Sequence, residues 1–336
     1  MTSLSISQKH NSPKMHRKIA ILALSLTIVF GCGQGSKTST TLGNRDFPIL
    51  KLPVSITDPQ DQLLYAAEHF WDSFTDSSAL WLCDSLHING CASEQVEAQM
   101  ANYASLLLRI PLKDARDFIS TFFKQLESFQ EKYPESNLFS SLTELVSRYL
   151  YDVNSPLRNE DIYLPFVEKL STSPFSPEEL HPAYAHDARM CALNQEGTKA
   201  AEIEFTDTKG RRRKLSDVEA DVVLLFFNNP GCHACRDIRE SIQGDELMQA
   251  LVGDGHLAVV TIYIDLEIDK WKAASDEYPS NWICGYDHAY KIRSDIDYNV
   301  RAIPSLYLLD GDMTVLMKDA PIERVAAALY SMAGVY

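Results

Sequence analysis

Apolar residues recur along this chain with three different patterns, and the chain divides where the pattern changes. Residues 19–30 form an unbroken apolar run. From 58 to about 170 apolar positions fall three and four apart, the helical period. Past His181-Pro182, short continuous apolar runs bounded by turn residues take over, as in strands buried on both faces. The pattern predicts a two-domain α+β chain, with an all-α helical domain followed by an α/β domain.

In the helical stretch, Asp58-Pro59 reads as an N-cap with proline at the first helical position. Leu63, Leu64, Ala67, Phe70, Trp71 and Phe74 follow at helical spacing. A second helix begins near Ser93, and a third carries Phe118, Phe122, Phe123 and Phe129 and stops before Pro134. Leu138, Leu142, Leu145 and Tyr149 mark a fourth, and Asn159 caps a short fifth through Leu170. Aromatic residues at this spacing bury one another, so the stripes predict core rather than a ligand groove. Cys83 and Cys91 flank the Asn89-Gly90 turn, either as a local disulfide or as free thiols. His69, His87, His181 and His186 stand isolated, without metal-ligand spacing.

The second half opens with a hairpin over 203–215 around Lys209-Gly210. Val222 to Phe227 is a buried strand, ended by Asn228-Asn229-Pro230-Gly231. Cys232-His233-Ala234-Cys235 then starts a helix predicted to run to about Leu251. Strands follow at 257–264, 305–309 and 314–317, the last two joined by Asp310-Gly311, and 322–332 closes as a helix. A cysteine at a helix start meets unsatisfied N–H groups and the positive dipole end, both of which favour thiolate. Cys232 is therefore the expected attacking thiol, and Cys235, on the same side, resolves the mixed disulfide. His233 either adds an imidazolium beside the sulfur or stands as a solvated helix-terminus histidine. A CxxC is also half a zinc site, but no second pair occurs at finger spacing, so neither metal nor cofactor is expected.

Composition and the N-terminus place this chemistry. His16, Arg17 and Lys18 precede the apolar run, and Gly31-Cys32 follows it, the layout of a signal peptide. Twelve helical residues rise only about 18 Å, too short for about 30 Å of hydrocarbon. Val29-Phe30-Gly31-Cys32 resembles a lipobox, which makes Cys32 the expected lipidation site. The rival is an uncleaved N-terminal anchor. The Gly-, Ser- and Thr-rich residues 33–41 read as a flexible tether. Beyond the membrane lies an oxidising space in which cysteine pairs can be used. Residues 1–31 hold four basic residues and no acid, leaving 27 basic against 46 acidic residues. So acidic a surface argues against nucleic acid as a partner.

Strand, CxxC, helix, strand, long crossover, proline-led strand, hairpin and helix is the order of a thioredoxin fold. From about Gly197 onward the chain resembles the membrane-tethered TlpA/ResA-like branch of thioredoxin-like proteins. Asp207-Thr208-Lys209-Gly210, Leu215-Ser216-Asp217 and Tyr298-Asn299-Val300-Arg301-Ala302-Ile303-Pro304 carry the likeness. It implies a cis Pro304 that lies against the CxxC and helps dock the partner's chain. The helical half, with His69-Phe70-Trp71-Asp72 and residues 151–160, resembles a domain fused to such thioredoxins in lipoproteins, with no chemistry to transfer. The chain departs from the pattern at Gly231, where many thioredoxins have tryptophan, and at Phe226, where thioredoxin buries an acid. Ile238 replaces the glutamate of some cytochrome-maturation reductases. Asp237, Glu240 or water are left to take the Cys235 proton.

The segments expected are a signal peptide over 1–31, a lipid-anchored flexible tether over 32–57, a helical domain of unknown function over 58–190 and a thioredoxin-like domain over 191–336. The expected function is a thiol–disulfide oxidoreductase of the cell envelope, anchored to the membrane by lipid and facing the periplasm. Its partners are protein disulfides or dithiols and an upstream electron donor or acceptor. Reduction is favoured by the family likeness, although direction is set by a potential that sequence does not give. The other reading is a partner-binding or scaffold lipoprotein with a vestigial thioredoxin fold.

Overall fold

In the computed structural model, which describes residues 42–294 and 297–334, helices begin where capping residues stand. The Asp58 carboxylate accepts the Gln60 and Asp61 N–H groups at 2.7 and 3.1 Å and starts α1 (Pro59–His69). A two-stranded hairpin of β1 (His87–Ile88) and β2 (Cys91–Ala92) follows. The segment is thus not all α as expected. Asn89 and Gly90 both take positive φ, and the Asn89 amide donates to the Phe74 carbonyl, which holds this turn in the interior. Then come α2 (Ser93–Leu107), α3 (Leu112–Lys132) and α4 (Leu138–Leu150). Asn159 caps α5 (Glu160–Leu170) through the Ile162 N–H, and α6 (His181–Cys191) ends the series.

The aromatic stripes are core, as their spacing predicts. Trp71 stacks on Phe122 with centroids 5.0 Å apart, and Phe123 meets Phe166 edge-on at 4.9 Å. Residues 42–57 form no helix or strand, yet they are not a free tether. Arg45 donates to the Phe74 and Asn89 carbonyls at 2.8 and 2.9 Å, and Phe47 stacks on Phe74 at 5.0 Å. The tether expected through 57 is anchored from Arg45 on, because a guanidinium and an aromatic ring both find partners there. The expected signal peptide, the expected lipidation site Cys32 and residues 33–41 lie outside the described residues.

The sheet is built from β3 (Glu204–Asp207), β4 (Arg212–Lys214) and β5 (Val222–Asn228), then β6 (Leu257–Tyr263), β7 (Ile283–Tyr286), β8 (Ser305–Asp310) and β9 (Val315–Met317). Its order is β4-β3-β7-β6-β5-β8-β9, with β5 parallel to β6 and antiparallel to β8. Residues 223–228 of β5 are all buried, as a central strand covered on both faces requires. Leu224 and Phe226 join one core layer, Val223, Leu225 and Phe227 the other.

Two elements differ from the sequence expectation. The helix after Cys232 is two, α7 (His233–Gly244) and α8 (Glu246–Gly253), because the Asp245 carboxylate accepts the Met248 N–H at 2.9 Å and caps a new helix. The pattern also does not predict β7, a four-residue strand with glycine in it. A Cβ on Gly285 would collide with the Phe205 ring, so the close approach to β3 is open to glycine alone. Between β6 and β7 lies α9 (Ile268–Ala274), and α10 (Ile322–Met332) closes the chain. The helical segment and the sheet together form one compact unit.

Candidate redox site

The cysteine pair follows the carboxyl end of β5, where α/β sheets commonly bind ligands. Gly231 takes φ +77°, the left-handed region, so a larger side chain there would strain the turn into α7. Cys232 follows as the N-cap of α7, and its sulfur accepts the Cys235 N–H at 3.1 Å. The two cysteines are disulfide-bonded across the first turn, with Cα atoms 5.2 Å apart. Cys235 is 5% exposed and packs in the layer of Phe226, whereas Cys232 is only half-buried. A nucleophile from outside therefore meets the Cys232 sulfur.

The remaining site residues spread around this pair. The His233 ring is 78% exposed and its Nδ1 lies 2.9 Å from the Asp237 carboxylate, one turn along α7. Glu240 is exposed, and Phe226 is fully buried beneath the pair. Two neighbours escaped the sequence reading. Tyr278 and Arg239 line a pocket of about 140 Å³ together with both cysteines. The Tyr278 hydroxyl donates to the Asn228 side chain, and burial pushes it up to about 12. Arg239 lies 5.3 Å over the Tyr278 ring and pairs with Glu277 at 3.2 Å. Tyr278 falls in an irregular crossover, where no periodicity singles it out.

On the other side of α7 a groove of about 480 Å³ carries Ala234, Ile303 and Pro304 on its lining. The Ile303–Pro304 bond is cis, as the family likeness implies. Val153, Asn154 and Arg158 of the helical segment line the same groove. Beneath it lies a buried charge network that no local pattern announces. The Glu160 carboxylate takes Arg301 Nε at 2.8 Å, the Asn299 amide at 3.0 Å and Lys318 Nζ at 2.8 Å. Arg301 also lies 3.9 Å over the Tyr151 ring. Asp319 accepts Arg158 Nε at 3.1 Å and the Ser305 hydroxyl at 2.8 Å. Burial pushes the Asp319 carboxyl up, and the Arg158 charge opposes that shift.

Cys83, Cys91, Cys191 and Cys284 are free thiols, the last three buried. Burial raises the pKa of all three of those buried thiols. Among the described residues no group of three or more His, Cys, Asp or Glu could hold a metal ion, and no helix is long and apolar enough to cross a membrane.

Comparison with known proteins bears on both halves. Residues 6–184 match the family described as a domain of unknown function, DUF5106. A thioredoxin-like protein from Bacteroides caccae has a crystal structure similar to 85% of this chain and 98% of its own, at 32% identity and a TM-score of 0.72. The C-terminal domain of a Bacteroides fragilis protein matches 40% of this chain and 97% of its own, at 39% identity and a TM-score of 0.40. The thioredoxin domain of a Bacteroides vulgatus thiol-disulfide oxidoreductase matches 41% and 97%, at 21% identity and a TM-score of 0.37. No curated protein matches the chain.

Proposed function

The chain belongs to the DUF5106 family, with a thioredoxin-like fold behind that domain, and on that premise we propose that it is a thiol–disulfide oxidoreductase. The observation that carries this reading is the asymmetric pair at the start of α7, with the half-buried Cys232 in the capping position and Cys235 buried behind it. In the reduced protein the Cys232 thiolate attacks one sulfur of a partner's disulfide. The partner's S–S bond breaks, its other sulfur leaves as a thiolate and takes a proton, and a mixed disulfide forms. Cys235 then attacks the Cys232 sulfur, closes the internal disulfide and releases the partner's second thiol. Two electrons pass to the partner, and an upstream dithiol restores the pair.

Reduction rather than oxidation is the favoured direction, by likeness to the TlpA/ResA branch. The helical part over 58–190 and the thioredoxin-like part over 191–336 act as two functional halves. The segment ending in Cys32 serves as signal peptide and lipid anchor, so that the chain faces the periplasm from a membrane. Reduction of a protein disulfide by the purified chain, against a Cys232→Ser control, tests the chemistry. Equal rates for the two would refute it.

A further inference from the structure

One side of the groove beside the redox pair comes from outside the sheet. Val153 and Asn154, in the turn between α4 and α5, line it together with Ala234 and Ile238 of α7 and with Ile303 and Pro304. A buried carboxylate ties the two sides of the groove together. Asp319 holds Arg158, at the end of the turn, and also Ser305, the neighbour of Pro304. Arg324, on α10, donates to the Arg158 carbonyl at 3.3 Å and braces the turn a second time.

The lining indicates what the groove takes. Among the described residues, nothing accepts a hydrogen bond from the Ala302 or Ile303 backbone N–H. Backbone groups left without partners at a sheet's end suit pairing with an added polypeptide. Val153, Ile238 and Ile303 are half-buried apolar side chains that still have surface to cover. Arg158, which also lines the groove, pairs with Asp319. Glu323 also lines the groove, exposed and without an ion pair among the described residues.

We propose that the helical segment, through Val153, and Glu323 at the start of α10 together select the extended, cystine-bearing partner segment that the groove receives. An apolar residue beside the partner's cysteine packs on Val153, and a cationic residue reaches Glu323. This gives the DUF5106 part of the chain a working role at the sulfurs, and it rests on the redox reading above.

The test compares second-order rate constants of the reduced full chain for three disulfides. Two are peptides with leucine beside the cysteine and either lysine or glutamate further along, and the third is a small aromatic disulfide that releases a coloured thiolate. The wild type should prefer the lysine peptide. Val153→Asn should lower the peptide-to-aromatic ratio about tenfold, and Val153→Ile should keep it. Glu323→Lys should move the preference to the glutamate peptide, a change that loss of folding would not produce. Ratios within about twofold of wild type in Val153→Asn, or a charge preference unmoved by Glu323→Lys, would overturn the proposal while leaving the redox chemistry standing. A wild type inert toward all three disulfides would overturn the redox reading and this proposal together.

Discussion

The Glu160 carboxylate and the Lys318 ammonium lie 2.8 Å apart, each with a side chain only 1% exposed. One belongs to α5 and the other follows β9, so this pair bolts the helical segment to the sheet. Lys318 also donates to the Cys191 and Leu193 carbonyls at 2.7 and 2.6 Å. Removing the carboxylate would strip Lys318 of its ion-pair partner and leave Arg301 with Asp319, 3.5 Å away.

Glu160→Ala should therefore cost about 3–5 kcal/mol of stability, the usual penalty for breaking a buried ion pair from one side. Urea unfolding followed by tryptophan fluorescence measures it. Trp71 reports from the helical segment and Trp271 from the sheet layer. A loss below about 1 kcal/mol, the level of an exposed pair, would show that the pair is not structural.

Acidity at the junction should make stability pH-dependent. Glu196 is pushed up to about 7 from an ordinary 4.5, by burial first and by the Asp161 charge second. The folded chain then holds this proton more tightly than the unfolded chain. The side chain's contribution to stability is fullest below about 4.5, falls as pH rises to about 7 and is level above that. Burial pushes Asp161 the same way. Glu196→Gln should flatten the fall and stabilise the protein at pH 8 by on the order of 1–2 kcal/mol. Parallel stability curves for the two proteins would contradict this.

Alkylation of the reduced protein near neutral pH should modify Cys232 first, since it is less buried than Cys235 and caps α7. Cys191 and Cys284 should resist until the chain unfolds, because burial raises both thiols. Mass mapping after a brief pulse reads the order directly. Faster labelling of Cys235 than Cys232 would reverse their roles.

Gly231→Ala tests the turn before the pair. A β-carbon at φ +77° should cost about 1–2 kcal/mol. The alkylation rate of Cys232 should change with it, since the turn sets the N-cap. A variant as stable as the wild type would mean that the turn relaxes freely.

Processing at Cys32 is a separate matter from the fold. Mass spectrometry of the membrane fraction should find Cys32 as a lipidated N-terminus, and Cys32→Ala should accumulate as precursor. Recovery of an intact peptide spanning Phe30 to Lys37 would remove the lipid anchor from the proposal.

What could be read from the sequence was local. Val222 to Phe227 announces a buried strand by its continuity, and Asp58 and Asn159 announce helix starts by their capping chemistry. Cys232 joins a turn to a helix and so carries its own electrostatic argument. The missed features are of two kinds. The α7–α8 break falls at Asp245, which caps α8, while apolar spacing continues across it. The Glu160–Arg301 contact spans 141 residues, and Glu160 reads in sequence as an ordinary acidic residue of a first helical turn. Such a position says nothing about burial, so neither the network nor the Val153 side of the groove could be foreseen.

The unequal burial of the two sulfurs also constrains how the protein meets its partners. With Cys235 behind Cys232, an incoming thiol attacks at the Cys232 sulfur, and an incoming disulfide is attacked from the same atom. On the proposed chemistry, whatever reduces the pair and whatever it reduces must take turns at that atom. Donor and recipient then exclude each other, no ternary complex forms, and turnover follows a ping-pong course with the protein itself as the only electron store between visits.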